Sequence, residues 1–241
     1  MASQDKVRHE AQPAFVLHSY PYRETSLIVE VFSQNYGRLP LMARGARRPR
    51  SAVRGLLLAF QPLSLSWFGK SDLRTLHSAE WLGGQPQLKG MALICGFYLN
   101  ELLLKLLQRD DPHEQLFDYY QEALRLLSAS NDHAAILRRF EKRMLQELGY
   151  ALILDRDAET GAPVEADARY RYVIERGPVR HSTAQNSVEL RGKTLLDLHA
   201  DDYSDPVTLQ QGKALMRTLL NHLLCDQPLH TRQLLKDLQQ I

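Results

Sequence analysis

The chain is poor in cysteine. It holds two in 241 residues, Cys95 and Cys225. Both fall in apolar, helical-looking runs, where a thiol reads as a small buried hydrophobe. Two cysteines exclude a disulfide framework and fall short of the roughly four ligands a structural zinc takes. H-E-x-x-H, G-x-S-x-G and C-x-x-C are all missing, and the nine histidines show no metal-ligand spacing. Gly192-Lys193-Thr194 is near the end of a phosphate loop, but the glycine needed five positions earlier is Ser187. Asp155-x-Asp157-x-Glu159 is near a calcium loop, but Thr160 and Ala166 stand where glycine and glutamate are needed. The expectation is a protein with no catalytic residues, no metal and no cofactor. Long apolar runs are also missing: Met91–Leu99 is cut off by Asn100, Glu101 and Lys105, well short of the ~20 residues of a membrane span. Residues 1–12 are polar and carry no signal-peptide core. A soluble, cytoplasmic protein is expected.

Acid is absent where base is dense. Between Arg38 and Arg54, seventeen residues hold six arginines (Arg38, Arg44, Arg47, Arg48, Arg50 and Arg54) and no Asp or Glu. The whole chain carries only +2, so this charge is local. Residues 1–80 hold eleven Lys+Arg against six Asp+Glu, whereas residues 81–241 hold nineteen against twenty-two. A fixed cluster of guanidinium groups is the footprint of a phosphate-backbone reader. Tyr36, Trp67 and Phe68 lie on neighbouring strands or turns, and aromatic faces stack bases without demanding a sequence. Tyr36 and Trp67 are therefore candidate base contacts, with Lys70 and Arg74 at the edges of the site. Strand alternation turns one of Trp67 and Phe68 inward.

The first eighty residues read as strands: Ala14–Ser19, Leu27–Phe32, Arg38–Ala43, Leu63–Phe68 and Leu73–Trp81. Leu63-Ser-Leu-Ser-Trp67 has the period of a half-buried strand. Five short strands in about 70 residues suggest a closed barrel of the OB-fold type. Gly83-Gly84-Gln85-Pro86 marks a boundary. Helices follow at Leu88–Gln108, Pro112–Leu127, about Asp132–Leu148, Pro206–Leu224 and Thr231–Leu238. The fold class expected is α+β. A flexible tail (1–13) precedes an OB-fold domain (14–82). A mainly helical domain (88–241) follows, with a small irregular polar insertion at 155–193.

A second basic group sits on the third helix, Arg138, Arg139 and Arg143 beside Phe140, with Arg125 on the helix before. A basic rim around an apolar groove receives peptides that carry acidic and hydrophobic residues. The same residues also fit an ordinary solvated helix face with Glu141 and Glu147 as partners.

Several segments then become specific in order and spacing. Ala14-Phe-Val-Leu-His-Ser-Tyr-Pro-Tyr-Arg-Glu-Thr-Ser-Leu27 resembles the first hairpin of the RecO family of DNA repair proteins. Tyr36-Gly-Arg-Leu39, Ala43-Arg-Gly-Ala-Arg47 and Thr75-Leu-His-Ser-Ala-Glu80 extend the resemblance. So do Tyr98-Leu-Asn-Glu-Leu-Leu103, Leu137-Arg-Arg-Phe-Glu141 and Leu148-Gly-Tyr150. The resemblance implies an OB-fold followed by a helical domain, and a recombination mediator that is not an enzyme. It implies binding to single- and double-stranded DNA (ssDNA and dsDNA) and strand annealing. It also implies action with RecR in loading RecA onto DNA coated by single-stranded-DNA-binding protein (SSB). The acidic, hydrophobic SSB tail would then dock at Arg125, Arg138, Arg139, Phe140 and Arg143. A nucleoid-associated place in the cytoplasm follows, with no membrane partner. Many family members carry four zinc-binding cysteines after the third helix; Asp155–Val173 has none here, so a zinc-free insertion is expected. The alternative is an OB-fold RNA-binding or protein-interaction scaffold without annealing activity.

Overall fold

The computed structural model describes residues 8–70, 72–150, 152–181, 184, 187–225 and 227–238. They divide into two compact units, residues 1–131 with 229–241, and residues 132–228.

The first unit is built on five strands: β1 (Arg8–Tyr22), β2 (Ser26–Ser33), β3 (Gly37–Ala43), β4 (Pro62–Phe68) and β5 (Arg74–Trp81). They close into a barrel in the order β1-β2-β3-β5-β4, all neighbours antiparallel except β3 and β5. Closure is possible because β1 is long and bulged, at His9/Gln12 and Val16/His18, and so pairs with β4 on one side and β2 on the other. The alternation in β4 does what its period predicts: Leu63, Leu65 and Trp67 point inward and are fully buried. They meet Val16, Val29, Val31, Leu39 and Leu41 in one apolar core. The expected tail is shorter than 1–13, since Arg8 and His9 already pair with Phe68 and Trp67; residues 1–7 lie outside the described residues.

Two helices, α1 (Gly90–Leu106) and α2 (Glu114–Ala129), belong to this same unit and not to a separate helical domain. Phe15 and Phe32, on the outer face of the barrel, meet Phe117 and Tyr120 of α2 in tilted and edge-to-face contacts. The bulge at Leu17 leaves a carbonyl that Asn100 satisfies (2.9 Å), and Asn100 in turn accepts the Tyr120 hydroxyl (2.5 Å). Burial pushes the Tyr120 phenol far above its ordinary range. The α1 helix is not buried all round: Met91 and Phe97 remain exposed. The last helix, α6 (His230–Leu238), returns to this unit, and the Glu101 carboxylate accepts its first N–H groups from His230 and Thr231.

The second unit holds α3 (His133–Glu147), α4 (Gly192–His199) and α5 (Pro206–Leu223), with a three-stranded sheet. Asp132 caps α3 and Asp205 caps α5, with Pro206 in the first turn. The expected irregular insertion is more ordered than its composition suggests. Its strands β6 (Arg169–Val173), β7 (Gly177–Val179) and β8 (Ser187–Arg191) pair in the order β7-β6-β8. The insertion ends earlier than residue 193, because α4 starts at Gly192. Only glycine fits there: a Cβ would meet the Glu165 carbonyl oxygen. Cys225, expected to be buried, is exposed, whereas Cys95 is in the core.

What holds the insertion together is a carboxylate. Asp157, almost fully buried, accepts N–H groups from Glu159 (2.9 Å), Thr160 (2.9 Å) and Arg180 (2.8 Å). Burial alone would raise its pKa; the three backbone donors outweigh that and hold it below the ordinary carboxylate range. Its stabilisation is therefore fully present above the unfolded value, about 4, and is lost as pH falls through the lower folded value. Asp157→Ala should cost on the order of 2 kcal/mol. In thermal unfolding at pH 7 it should lower the Tm by several degrees, with a gap to the parent that narrows toward pH 3.

Candidate nucleic-acid interface

The arginine segment is the connection from β3 to β4, and it is anchored at several points. Ala46 is fully buried in the barrel core, Leu57 nearly so, and Val53 packs against the same core. The backbone folds into consecutive turns: Arg48 N–H bonds to Gly45 (3.0 Å), Ser51 N–H to Arg48 (3.1 Å), and a short 3-10 turn spans Ala52–Gly55. Gly45 takes φ +67°, a conformation that favours glycine, with the Arg48 side chain lying over it. Arg47 ties the segment to the β1–β2 turn: its N–H bonds to Thr25 (2.9 Å) and its guanidinium to the Arg23 carbonyl (3.2 Å).

Buried alanines and leucines thus hold the loop, and the arginines between them face water. Arg44, Arg47, Arg48, Arg50 and Arg54 are all exposed, and none makes an ion pair with an acid among the described residues. Lys70 is likewise exposed and unpaired among them. Arg23 joins the group from the β1–β2 turn, its guanidinium 5.2 Å from the Tyr22 ring. It lies outside the arginine-dense stretch of the sequence, and only the fold brings its turn against Arg47.

Two expected members are not free. Arg38 points along the barrel wall, where it meets the buried Glu30 carboxylate (3.1 Å) and the Leu107 carbonyl (3.0 Å). Arg109 pairs with the other Glu30 oxygen (2.6 Å), and Asp110 N–H bonds to the Arg38 carbonyl (2.9 Å). Gly37 leaves no room for a side chain against the Asp111 backbone. Arg74 is mostly buried and pairs with Asp110 (2.5 Å). Both arginines hold the α1–α2 linker to the barrel.

The expected base contacts also turn inward. Trp67 is fully buried, and its indole nitrogen has no hydrogen-bond partner. Tyr36 is half-buried and meets Trp67 edge to face at 5.3 Å. His9 stacks on Trp67 and touches Tyr36; burial, then the neighbouring Arg74 charge, lower its pKa. Phe68, on the other face of β4, is partly exposed beside Arg8 and His77.

The second basic group comes apart on inspection. Arg138 is buried and pairs with the fully buried Glu141 (2.6 Å), and Phe140 is core. Helical periodicity explains the error: positions 137, 140, 144 and 148 read as one apolar face, but Arg138 and Lys142 follow the buried side with acid partners. Arg139 lies over the Tyr203 ring and donates to the Asp201 carbonyl. Arg143 pairs with Asp201 (2.7 Å). Arg125, in the first unit, is exposed and bidentate to Glu122 (2.6 and 2.7 Å). A basic-rimmed cleft does exist in the second unit, one turn further on. Arg143, Arg156 and His199 edge it, and Tyr150, Leu152 and Ile153 line it.

These placements separate structural arginines from available ones. Arg38→Ala leaves Glu30 half-paired in a buried position, and breaking a buried pair costs about 3 kcal/mol or more. It should lower the Tm clearly, whereas Arg48→Ala, which removes no ion pair, should leave it within about 1 °C.

Comparison with known proteins divides the chain at a different point from its two compact units, after the barrel and before α1. The family described as Recombination protein O N terminal matches residues 8–85, and Recombination protein O C terminal matches residues 88–233. The DNA repair protein RecO of Nitrosospira multiformis is 63% identical over 239 residues, covering 98% of this chain and 99% of that protein. Those of Dechloromonas aromatica and Aromatoleum aromaticum are 56% and 52% identical, over 96% and 98% of this chain and 97% and 99% of theirs. A barrel with an anchored arginine loop, a helical remainder and full-length identity of this order place the chain in the RecO family of DNA repair proteins.

Proposed function

We propose that this chain is a recombination mediator that binds ssDNA and dsDNA, anneals complementary strands and, with RecR, helps load RecA onto SSB-coated ssDNA. The observation that carries the reading is the set of five exposed arginines, Arg44, Arg47, Arg48, Arg50 and Arg54, on a loop fixed to the barrel core by Ala46 and Leu57. Annealing needs no covalent step. Two strands repel through their phosphates, and a cationic surface screens that repulsion and raises local strand concentration. An anchored loop keeps its guanidinium groups in place, so less side-chain and backbone freedom is lost on binding.

The SSB tail is the second ligand of this reading. Arg138 and Phe140 are excluded as its contacts by burial. The cleft lined by Arg143, Arg156 and His199 supplies apolar walls for the tail's end, and the tail's carboxylates would compete there with Asp201 and Asp155 for Arg143 and Arg156. Arg139 and Arg125 lie outside this cleft and are engaged with Tyr203 and Glu122. A cytoplasmic, nucleoid-associated location belongs to the same proposal; among the described residues no helix is long and apolar enough to cross a membrane.

Annealing of complementary oligonucleotides, bare and SSB-coated, without ATP, tests the reading. Acceleration of both is expected. Arg143→Glu should slow the SSB-coated reaction while leaving the bare one intact. Acceleration of bare strands alone would remove the SSB contact. Binding without acceleration of either, with equal affinity for RNA, would favour the nucleic-acid-binding scaffold.

A further inference from the structure

With Trp67 in the core and Tyr36 wedged against it, the barrel needs another aromatic if it is to hold bases as well as phosphates. Strand register identifies one. After the bulge at Val16/His18, β1 pairs Tyr20 with Ile28 and Tyr22 with Ser26, and β2 pairs Ile28 with Met42. Leu27 and Val29 belong to the core cluster, so the alternate positions Tyr20, Ile28 and Met42 form a row on the outer face. Arg44, exposed, begins the turn directly after β3, two residues past Met42. Two strand spacings, about 10 Å, separate the Tyr20 column from the Arg44 column.

Tyr20 is 45% exposed, a large value for an aromatic on a paired strand. The His18 ring meets it at 4.4 Å and 68°, and nearly half of the residue remains open to solvent. Tyr22 has one side occupied by the Arg23 guanidinium. Trp81, more exposed still, lies in a different setting. Its indole N–H is bonded to Gln61, and the cleft beside it is lined by Leu58, Phe60, Leu88 and Leu93 with no cation. Phosphates have no reason to approach there.

We propose that Tyr20 is a base-stacking residue for single-stranded DNA, with Arg44, Arg47 and Arg23 holding the phosphates beside the stacked nucleotide. This rests on the nucleic-acid reading above and deepens it. A tyrosine has only two side-chain torsions to fix, so stacking on it costs little entropy. Every base offers a π-face, so the contact holds bases without selecting a sequence, and it leaves their pairing edges free for a complementary strand.

The test compares a fluorescently labelled single-stranded oligonucleotide with one of the same length and charge made of abasic residues, by equilibrium anisotropy. Tyr20→Ala should weaken binding of the normal strand about tenfold or more, with unchanged affinity for the abasic strand and an unchanged salt slope. Tyr20→Phe should restore binding, and Trp81→Ala should leave the ratio of the two affinities as in the parent. An unchanged Tm for Tyr20→Ala confirms that the fold is intact. Equal loss on both strands, or no loss on the normal one, would overturn the proposal. If the parent binds both strands and Tyr20→Ala changes nothing, the stacking role alone falls. If the parent binds neither, the nucleic-acid reading falls with it.

Discussion

Burying a carboxylate in the wall of a barrel is costly unless cations and hydrogen bonds meet it there. Glu30 is such a group, 4% exposed, and Arg38 and Arg109 meet one oxygen each. Arg38 extends the arrangement to the Leu107 carbonyl, and its own carbonyl receives Asp110 N–H. One acid thereby fixes the α1–α2 linker against β2 and β3, and Arg74 repeats the device through Asp110. The consequence reaches the interface. Acids that bind arginines on this side of the barrel leave the β3–β4 loop, which has no acid of its own, as the place where guanidinium charge faces water.

The loop joins two physical requirements that usually conflict. Dense like charge favours disorder, while a defined interface needs a fixed backbone. Here Ala46, Val53 and Leu57 bury apolar surface in the barrel core, and Arg47 hydrogen-bonds into the β1–β2 turn. The repulsion among Arg44, Arg47, Arg48, Arg50 and Arg54 is then held by the fold, and in the proposed function bound phosphates would relieve it. Electrostatic binding is independent of sequence, as the proposed function would require.

Much of the architecture was legible because it rests on short-range patterns. Leu63-Ser-Leu-Ser-Trp67 gave β4 through its period, the start of α5 was read at Pro206, and the five strands gave a closed barrel. The arginine loop was legible from composition alone. What could not be read was which charged groups have buried partners, because Glu30, Arg38 and Arg109 meet only through the fold. For Arg138 the partner Glu141 was legible one turn along α3, and what was not legible was that this side of the helix is buried. Trp67 was ambiguous by one position in register, and α4 was hidden behind Gly192, whose need is a close backbone approach and not a local turn. Tyr20 was in plain view, but its face of the strand depends on a bulge that no periodicity reveals.

The most direct test of the account is the salt dependence of single-strand affinity. If the free arginines neutralise about four phosphates, log K against log salt should have a slope near −3, a loss of roughly 50-fold between 50 and 200 mM. Replacing Arg47, Arg48 and Arg50 together with Ala should reduce the slope to about −1. A slope that stays near −3 in the triple variant would contradict the account and place the phosphate contacts elsewhere on the protein.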